Sequence, residues 1–220
     1  MRSLIIRASV ILMTCILGLT SCAAGRYIAK NEIGGIDEMV LITPSAEISY
    51  IDNKSQEALD DSLSATCSRL LTESVLRTGL PVRGLVGNDG LLDEMIGLTG
   101  VIPKKAGLVV IPQEIDRILE AKGSRYGIVL YANGFDRDPK NYGKEVFKGV
   151  FLSILTLAVT LGSAAAYFIP QKSLLNTWIA IFDSETDRVI YFNRLSEEVN
   201  PCKATDVDRH IRRLCKPISK

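Results

Sequence analysis

The chain has 220 residues with 26 basic and 25 acidic side chains, so its net charge is close to zero. This balance argues against nucleic acid or another anionic polymer as a partner. The length suits one compact domain with a hydrophobic core of its own. The composition therefore gives no reason to expect a structural metal, a cofactor or a disulfide scaffold.

The chain begins with the pattern of an export signal. Arg2 and Arg7 precede an apolar run, and the run ends in Leu19-Thr20-Ser21-Cys22. A basic start, an apolar middle and small residues before the cut are typical of secretory signals. A cysteine at the first mature position resembles the lipobox of bacterial lipoproteins, which carry diacylglycerol on that residue. We therefore predict a signal peptide over residues 1–21 and lipidation at Cys22.

The lipobox implies a protein that is anchored on the periplasmic side of a bacterial membrane. Ala23 and Ala24 follow Cys22 without an aspartate, a pattern that favours the outer membrane in enterobacteria. The alternatives are a transmembrane helix and an ordinary signal cut near Ala23 or Ala24. The apolar run is short for a bilayer, which argues against the helix.

After a lipid-anchored tether over residues 22–37, we predict one α/β domain over 38–220. Its first strands are expected at 39–43 and 46–51. A long helix over 53–78 is expected next, with Asn53 as N-cap and Gly79 as its stop. Its predicted buried stripe, read from three- and four-residue spacings, is Leu59, Leu63, Cys67, Leu70 and Ser74, with Asp60, Asp61, Ser64 and Ser68 on the wet side.

The remaining elements are predicted in the same way. We expect an edge strand over 80–86, a short helical turn over 89–96, a loop over 97–110 and a helix over 112–122. A buried strand over 126–132 and a hairpin over 178–183 and 188–194 follow. The last helix begins at Thr205, with Val207, Ile211 and Leu214 facing inward and His210 on a solvated basic face.

This order predicts an α+β fold (an α/β layer), in which a small mixed sheet carries helices on one face and an apolar helix is inserted. The runs Val40-Leu41-Ile42, Tyr126-Gly127-Ile128-Val129-Leu130 and Asp183-Ser184-Glu185-Thr186-Asp187 occur in this order. Their spacing over about residues 38–195 resembles envelope lipoproteins related to the TolB amino-terminal domain, the curli-secretion lipoprotein and the penicillin-binding-protein activators. The resemblance implies a non-catalytic assembly or adaptor domain and transfers no functional residue.

The inserted segment, 149–169, carries no charged residue and is as long as a bilayer core is thick. A span would put the strand at 126–132 and the hairpin on opposite sides of a membrane, so their sheet could not close. Three interpretations stay open: a core helix, a helix lying on the membrane beside the lipid anchor, and an inner-membrane span with a basic cytoplasmic tail. We expect contact with lipid.

The sequence offers few parts for catalysis. His210 is the single histidine, and no nucleophile and base pair is visible. Asp136-Arg137-Asp138 with Asn141 has some ligands of a calcium loop, but Lys140 occupies a ligand position, so a turn is favoured. Gly84, Gly87 and Gly90 lack the lysine of a phosphate loop. We therefore expect neither an enzyme nor a metal or cofactor site.

Three cysteines are left in the predicted mature chain besides Cys22, in an oxidising compartment. A bond between Cys202 and Cys215 would need the last helix to be short or broken, because that helix separates them. Cys67 is expected to be a small buried apolar residue. The pairing of the three stays open.

The expected function is that of a non-catalytic envelope lipoprotein that serves as an assembly, adaptor or structural interaction module. Its expected partners are membrane lipid, through Cys22 and 149–169, another envelope protein and a possible second copy of itself. The alternatives are a membrane-spanning component of a transport or envelope-remodelling complex and a hydrolase of wall or lipid.

Overall fold

The computed structural model describes residues 26–88, 90–105, 109–159 and 170–218. The predicted signal peptide and Cys22 lie outside these residues. The strands are β1 (Tyr27–Ile28), β2 (Met39–Ile42), β3 (Ser45–Ile51), β4 (Glu57–Leu59), β5 (Val82–Val86), β6 (Tyr126–Arg137), β7 (Ser173–Asp183) and β8 (Arg188–Glu197). The helices are α1 (Lys30–Ile33), α2 (Asp61–Leu76), α3 (Leu92–Lys105), α4 (Gln113–Lys122), α5 (Pro139–Val159) and α6 (Ala204–Cys215).

All eight of these strands belong to one mixed sheet with the order β1-β8-β7-β6-β2-β5. β2 and β3 both run parallel to β6 and pair with successive parts of it, as shown by the partners Leu41↔Ile128 and Ser45↔Tyr131. β6, β7 and β8 form an antiparallel meander. β4 extends the sheet beyond β3. The mixed sheet is thus confirmed, with β6 at its centre.

Helices cover both faces of the sheet, so the prediction of one covered face is wrong. Ile128 and Leu130 of β6 belong to the core under α2 and α6. Val129 and Tyr131 point the other way, into the core under α3 and α4. Successive side chains of a strand face opposite sides, and a strand covered on both sides reads as an unbroken apolar run. The apolar run from 127 to 132 therefore indicated a strand that is covered on both faces.

The first long helix starts later than predicted. Residues Glu57–Leu59 form β4, where Leu59 is exposed, and α2 begins at Asp61. Asp60 is the N-cap, and its Oδ1 accepts a hydrogen bond from the Leu63 N–H at 2.9 Å. The pairing of β4 with β3 outweighed the capping pattern at Asn53. Cys67, Leu70 and Ser74 are buried as predicted.

Two serines of α2 that were expected to face water lie against β3. Ser64 Oγ accepts a hydrogen bond from the Ile48 N–H at 2.9 Å, beyond the end of the β3–β4 ladder. Ser68 Oγ donates to the Pro44 carbonyl. Both serines are half-buried. They provide hydrogen-bond partners for the Ile48 N–H of β3 and for the carbonyl of Pro44, just before β3.

The predicted loop over 97–110 is wrong for its first half. α3 runs from Leu92 to Lys105 and buries Met95 and Ile102, seven residues apart, against the sheet. Packing of these side chains outweighs the poor helix propensity of Gly97 and Gly100. Tertiary burial therefore decided this element.

The other predicted elements are confirmed in kind. α4 ends at Gly123, whose φ of +60° is the left-handed C-cap conformation. The hairpin turns at residues 184–187, with Asp187 at a φ of +52°.

Within the stretch predicted as the tether, β1 pairs with β8 and Ile36 is buried in the core.

Candidate functional site: the outward face of helix α5

The start of α5 is fixed to the end of β6 by a hydrogen-bonded cap. Asp138 Oδ1 accepts from the Lys140 N–H at 2.7 Å and from the Asn141 N–H at 3.3 Å, and Tyr50 Oη donates to Asp138 Oδ2 at 3.1 Å. The hydrogen bond from the Lys140 backbone holds the pKa of Asp138 below its usual value. Asn141 is buried, and its Oδ1 accepts from Arg137 Nη1 at 2.7 Å. These bonds give α5 a defined exit direction.

Hydrogen bonds also occupy the two acidic side chains of the stretch 136–141. Asp138 caps the helix, and Asp136 Oδ2 accepts from Asn200 Nδ2 at 3.0 Å. Asp136 and Arg137 belong to the end of β6 and Asn141 to the first turn of α5, so the predicted turn is reduced to Asp138 between the two elements. Within the residues that the structure describes, no group of histidine, cysteine or acidic side chains is placed to hold a metal ion.

Residues 149–159 of the apolar segment predicted at 149–169 belong to α5, which begins ten residues earlier, at Pro139. Residues 160–169 of that segment lie outside the described part of the chain. In the part that is described, no helix is long and apolar enough to cross a membrane. An inserted apolar helix over the whole segment is therefore not confirmed.

The outward face of α5 combines lysines with large apolar side chains. Phe147, Val150 and Phe151 are exposed by 73%, 49% and 59%, and their spacing puts them on one side of the helix. Lys140 and Lys144, both exposed, continue this side toward the start of α5. α5 makes few contacts with the other described elements. We call these five residues the outward face of α5.

One acidic side chain of α5 forms an ion pair within the helix. Glu145 lies on the inner side of α5, and Lys148 Nζ donates to its Oε1 at 2.6 Å. The hydrogen bond from Lys148 holds the pKa of Glu145 below its usual value. Lys140 and Lys144 therefore give the outward face a net positive charge. A lysine can lay its aliphatic stem along apolar surface while its ammonium group stays in a polar environment, so lysines beside exposed phenylalanines are compatible with a membrane interface.

His210 is buried, so its prediction as part of a solvated basic face is wrong. It is 0% exposed, with Nδ1 2.8 Å from Glu197 Oε2 and Nε2 3.1 Å from Thr177 Oγ1. Burial lowers the pKa of His210, and the nearby Glu197 only partly opposes this. Position 210 follows Val207 by three residues and precedes Leu214 by four, and this spacing could have shown that it shares the buried stripe.

The Thr177, His210 and Glu197 side chains are arranged like a nucleophile, a base and an orienting acid. Thr177 is as buried as His210, however, so a substrate cannot reach its hydroxyl in this structure. The three side chains join β7 and β8 to α6. They act as a structural hydrogen-bond network.

The fold defines a mixed α/β-sheet domain in which α5, with a partly exposed apolar face, follows the central strand β6. No family model and no curated protein matches the chain. Among solved structures, the PelC dodecamer from Paraburkholderia phytofirmans has a TM-score of 0.41 and 5% identity, over 83% of this chain and 87% of that one. The LpoB C-terminal domain from Salmonella enterica has a TM-score of 0.33 and 10% identity, over 77% of this chain and 92% of that one.

A DUF330 protein from Xanthomonas campestris has a TM-score of 0.30 and 8% identity, over 83% of this chain and 78% of that one. Likenesses at these TM-scores carry no argument about family or function. The resemblance to envelope lipoproteins stays a prediction.

Proposed function

We propose that the chain is a non-catalytic envelope lipoprotein, anchored through Cys22, whose α/β domain rests on the lipid surface through the outward face of α5. In this position the domain serves as an adaptor for another envelope protein. The outward face, with its exposed phenylalanines beside exposed lysines, is the observation that carries the proposal.

Both the phenylalanines and the lysines of the outward face would contribute favourable free energy to contact with the membrane. Burial of an exposed phenylalanine in an apolar environment contributes about 1.5–3 kcal/mol. A lysine close to an anionic lipid surface adds about 1 kcal/mol. The diacylglycerol expected on Cys22 has two acyl chains, which already anchor a protein stably, so the contact through α5 would orient the domain on the membrane surface. The helix face and the lipid on Cys22 would then act together.

The proposal also accounts for the placement of the helix. α5 follows the end of β6, and β7, which begins at Ser173, pairs with β6 along its length. Both ends of the segment are therefore held by one sheet. A helix lying on the surface of the membrane satisfies this condition, whereas a single span would separate β6 from β7.

A vesicle-binding experiment tests the proposal. The mature chain 22–220 with Cys22→Ser, which lacks the acyl anchor, is mixed with vesicles of neutral phosphatidylcholine or with vesicles that also contain anionic phosphatidylglycerol, and the bound fraction is sedimented. We expect binding to the anionic vesicles, weakened by salt because ionic screening shortens the reach of the lysines.

The matched variants identify the surface. Lys140→Glu with Lys144→Glu should abolish the preference for anionic vesicles. The control, Lys122→Glu with Arg188→Glu, makes the same change in net charge at two exposed side chains near the opposite end of β6 and should leave binding unchanged. Equal losses in both variants, or no binding to any vesicle, would refute a lipid-binding face on α5.

A further inference from the structure

The described part of the chain contains three free cysteines, and they differ in their surroundings. Cys67 lies on the buried side of α2, Cys215 is buried at the end of α6, and Cys202 is half-buried in the turn before α6. The turn that carries Cys202 contacts the first part of α2, the helix that carries Cys67.

The turn that carries Cys202 is fixed against the start of α2. Cys202 Sγ lies 3.6 Å from the carbonyl oxygen of Leu63. The Cys202 N–H donates to Asn200 Oδ1 at 2.8 Å, and Asn200 in turn donates to Asp136 on β6. The position of the Cys202 sulfur is therefore set by both its neighbours in the turn and the helix surface below it.

The Leu63 carbonyl is one helical turn before Cys67. In an α-helix the carbonyl of residue i faces the N–H of residue i+4, and side chains lean toward the N-terminal turn. The Cys67 side chain thus leans toward the place where Cys202 Sγ lies. Burial and the neighbouring Cys202 thiol together raise the pKa of Cys67 to about 12, which agrees with this proximity.

Cys215 is too far from Cys202 to form a disulfide with it. α6 has 12 residues, Ala204–Cys215, so it separates Cys202 from Cys215 by about 18 Å, against the limit of about 7 Å between the Cα atoms of a disulfide. Arg77 Nε, just past the end of α2, lies 3.3 Å from Asp208 Oδ1. Arg77 follows Cys67 by about three helical turns, and Cys215 follows Asp208 by about two more, so α6 carries Cys215 away from Cys67.

We propose that Cys67 and Cys202 form a disulfide bond that fastens the turn before α6 to α2. This inference rests on the geometry of the two thiols and not on the proposed function. It leaves Cys215 as a buried thiol.

The bond forms by exchange with a small-molecule disulfide as oxidant. The Cys202 thiol loses its proton to water, and its sulfur attacks one sulfur of the oxidant, which releases one thiolate. The Cys67 sulfur, after losing its own proton, attacks Cys202 Sγ and releases the second thiolate. The two protein thiols thus give two electrons and two protons, and the oxidant becomes two thiols. Burial raises the pKa of Cys202 to about 11, so the exchange is expected to be fastest during refolding.

The test uses the mature chain 22–220 with Cys22→Ser, which has only these three cysteines. The reduced chain is refolded from denaturant with oxidised and reduced glutathione, free thiols are alkylated, and the protease digest is analysed by mass spectrometry without reductant. We expect one cross-linked peptide pair joining Cys67 to Cys202, and alkylated Cys215. We also expect the Tm of the oxidised chain to fall by several degrees when reductant is added.

Two variants complete the test. Cys215→Ser should keep the cross-linked pair and the Tm shift, whereas Cys202→Ser should lose both and leave Cys67 alkylated. A cross-link that involves Cys215, a dimer joined through Cys202, a glutathione adduct that persists on Cys202, or three alkylated thiols would each overturn the proposal.

Discussion

Removal of both phenylalanines from the outward face of α5 should weaken membrane binding by a calculable amount. Full burial of a phenylalanine side chain is worth about 1.5–3 kcal/mol. Phe147 and Phe151 are exposed by 73% and 59%, so each has about 1–2 kcal/mol to gain in the membrane interface. The double change to serine should therefore cost about 2–4 kcal/mol, or roughly 30- to 1,000-fold in the partition constant.

The assay is titration of the mature chain carrying Cys22→Ser with anionic vesicles, followed by sedimentation. The control is the double variant Leu85→Ser and Val110→Ser, because these residues are exposed by 53% and 69% but lie away from α5. Circular dichroism verifies that both variants fold. If the phenylalanine variant lost no more affinity than the control, the reasoning from the exposed face would be refuted.

Three further predictions concern the anchor and the core. Cys22→Ser should abolish incorporation of radiolabelled fatty acid in cells and leave an uncut precursor, and equal labelling of both proteins would contradict lipidation. Leu71→Ala, at a fully buried position of α2, should lower the free energy of unfolding by about 2–5 kcal/mol in urea titrations. The control Leu76→Ala, at a position that is 51% exposed, should change this free energy by less than about 0.5 kcal/mol. Similar losses in both variants would show that the buried face of α2 is assigned wrongly. Because burial lowers the pKa of His210, the unfolded chain binds a proton at higher pH than the folded chain, so stability should be full above about pH 6.5 and fall as the pH drops below it. The His210→Gln variant should lose this part of the pH dependence, and an unchanged slope between pH 7 and 5.5 would contradict the role of the histidine.

The sequence predicted the elements whose periodicity is strong and local. β6, the β7–β8 hairpin and the buried stripe of α6 at Val207, Ile211 and Leu214 follow from apolar spacing and turn residues alone. β4 and the true start of α2 at Asp61 could not be predicted in this way, because pairing with β3 overrides the local capping signal.

In the candidate site, too, some features could be predicted from the local sequence and others could not. The apolar character of 149–169 predicted a lipid contact. The exposed apolar face begins earlier than that segment, because Phe147 is exposed and α5 already starts at Pro139. The basic neighbours of His210 suggested an exposed residue, although the histidine points inward from the same helix. A charged neighbour in sequence therefore says less about burial than the spacing to apolar residues does.

The most direct test of the account is to ask what the outward face of α5 contacts in the living envelope. A photoreactive phenylalanine analogue is placed at position 151 or, as control, at position 85 of the full-length chain, and irradiated cells are fractionated. We predict a phospholipid adduct, identified by mass spectrometry, at position 151 and none at position 85. Adducts to protein alone at position 151, or lipid adducts of equal yield at both positions, would contradict the account.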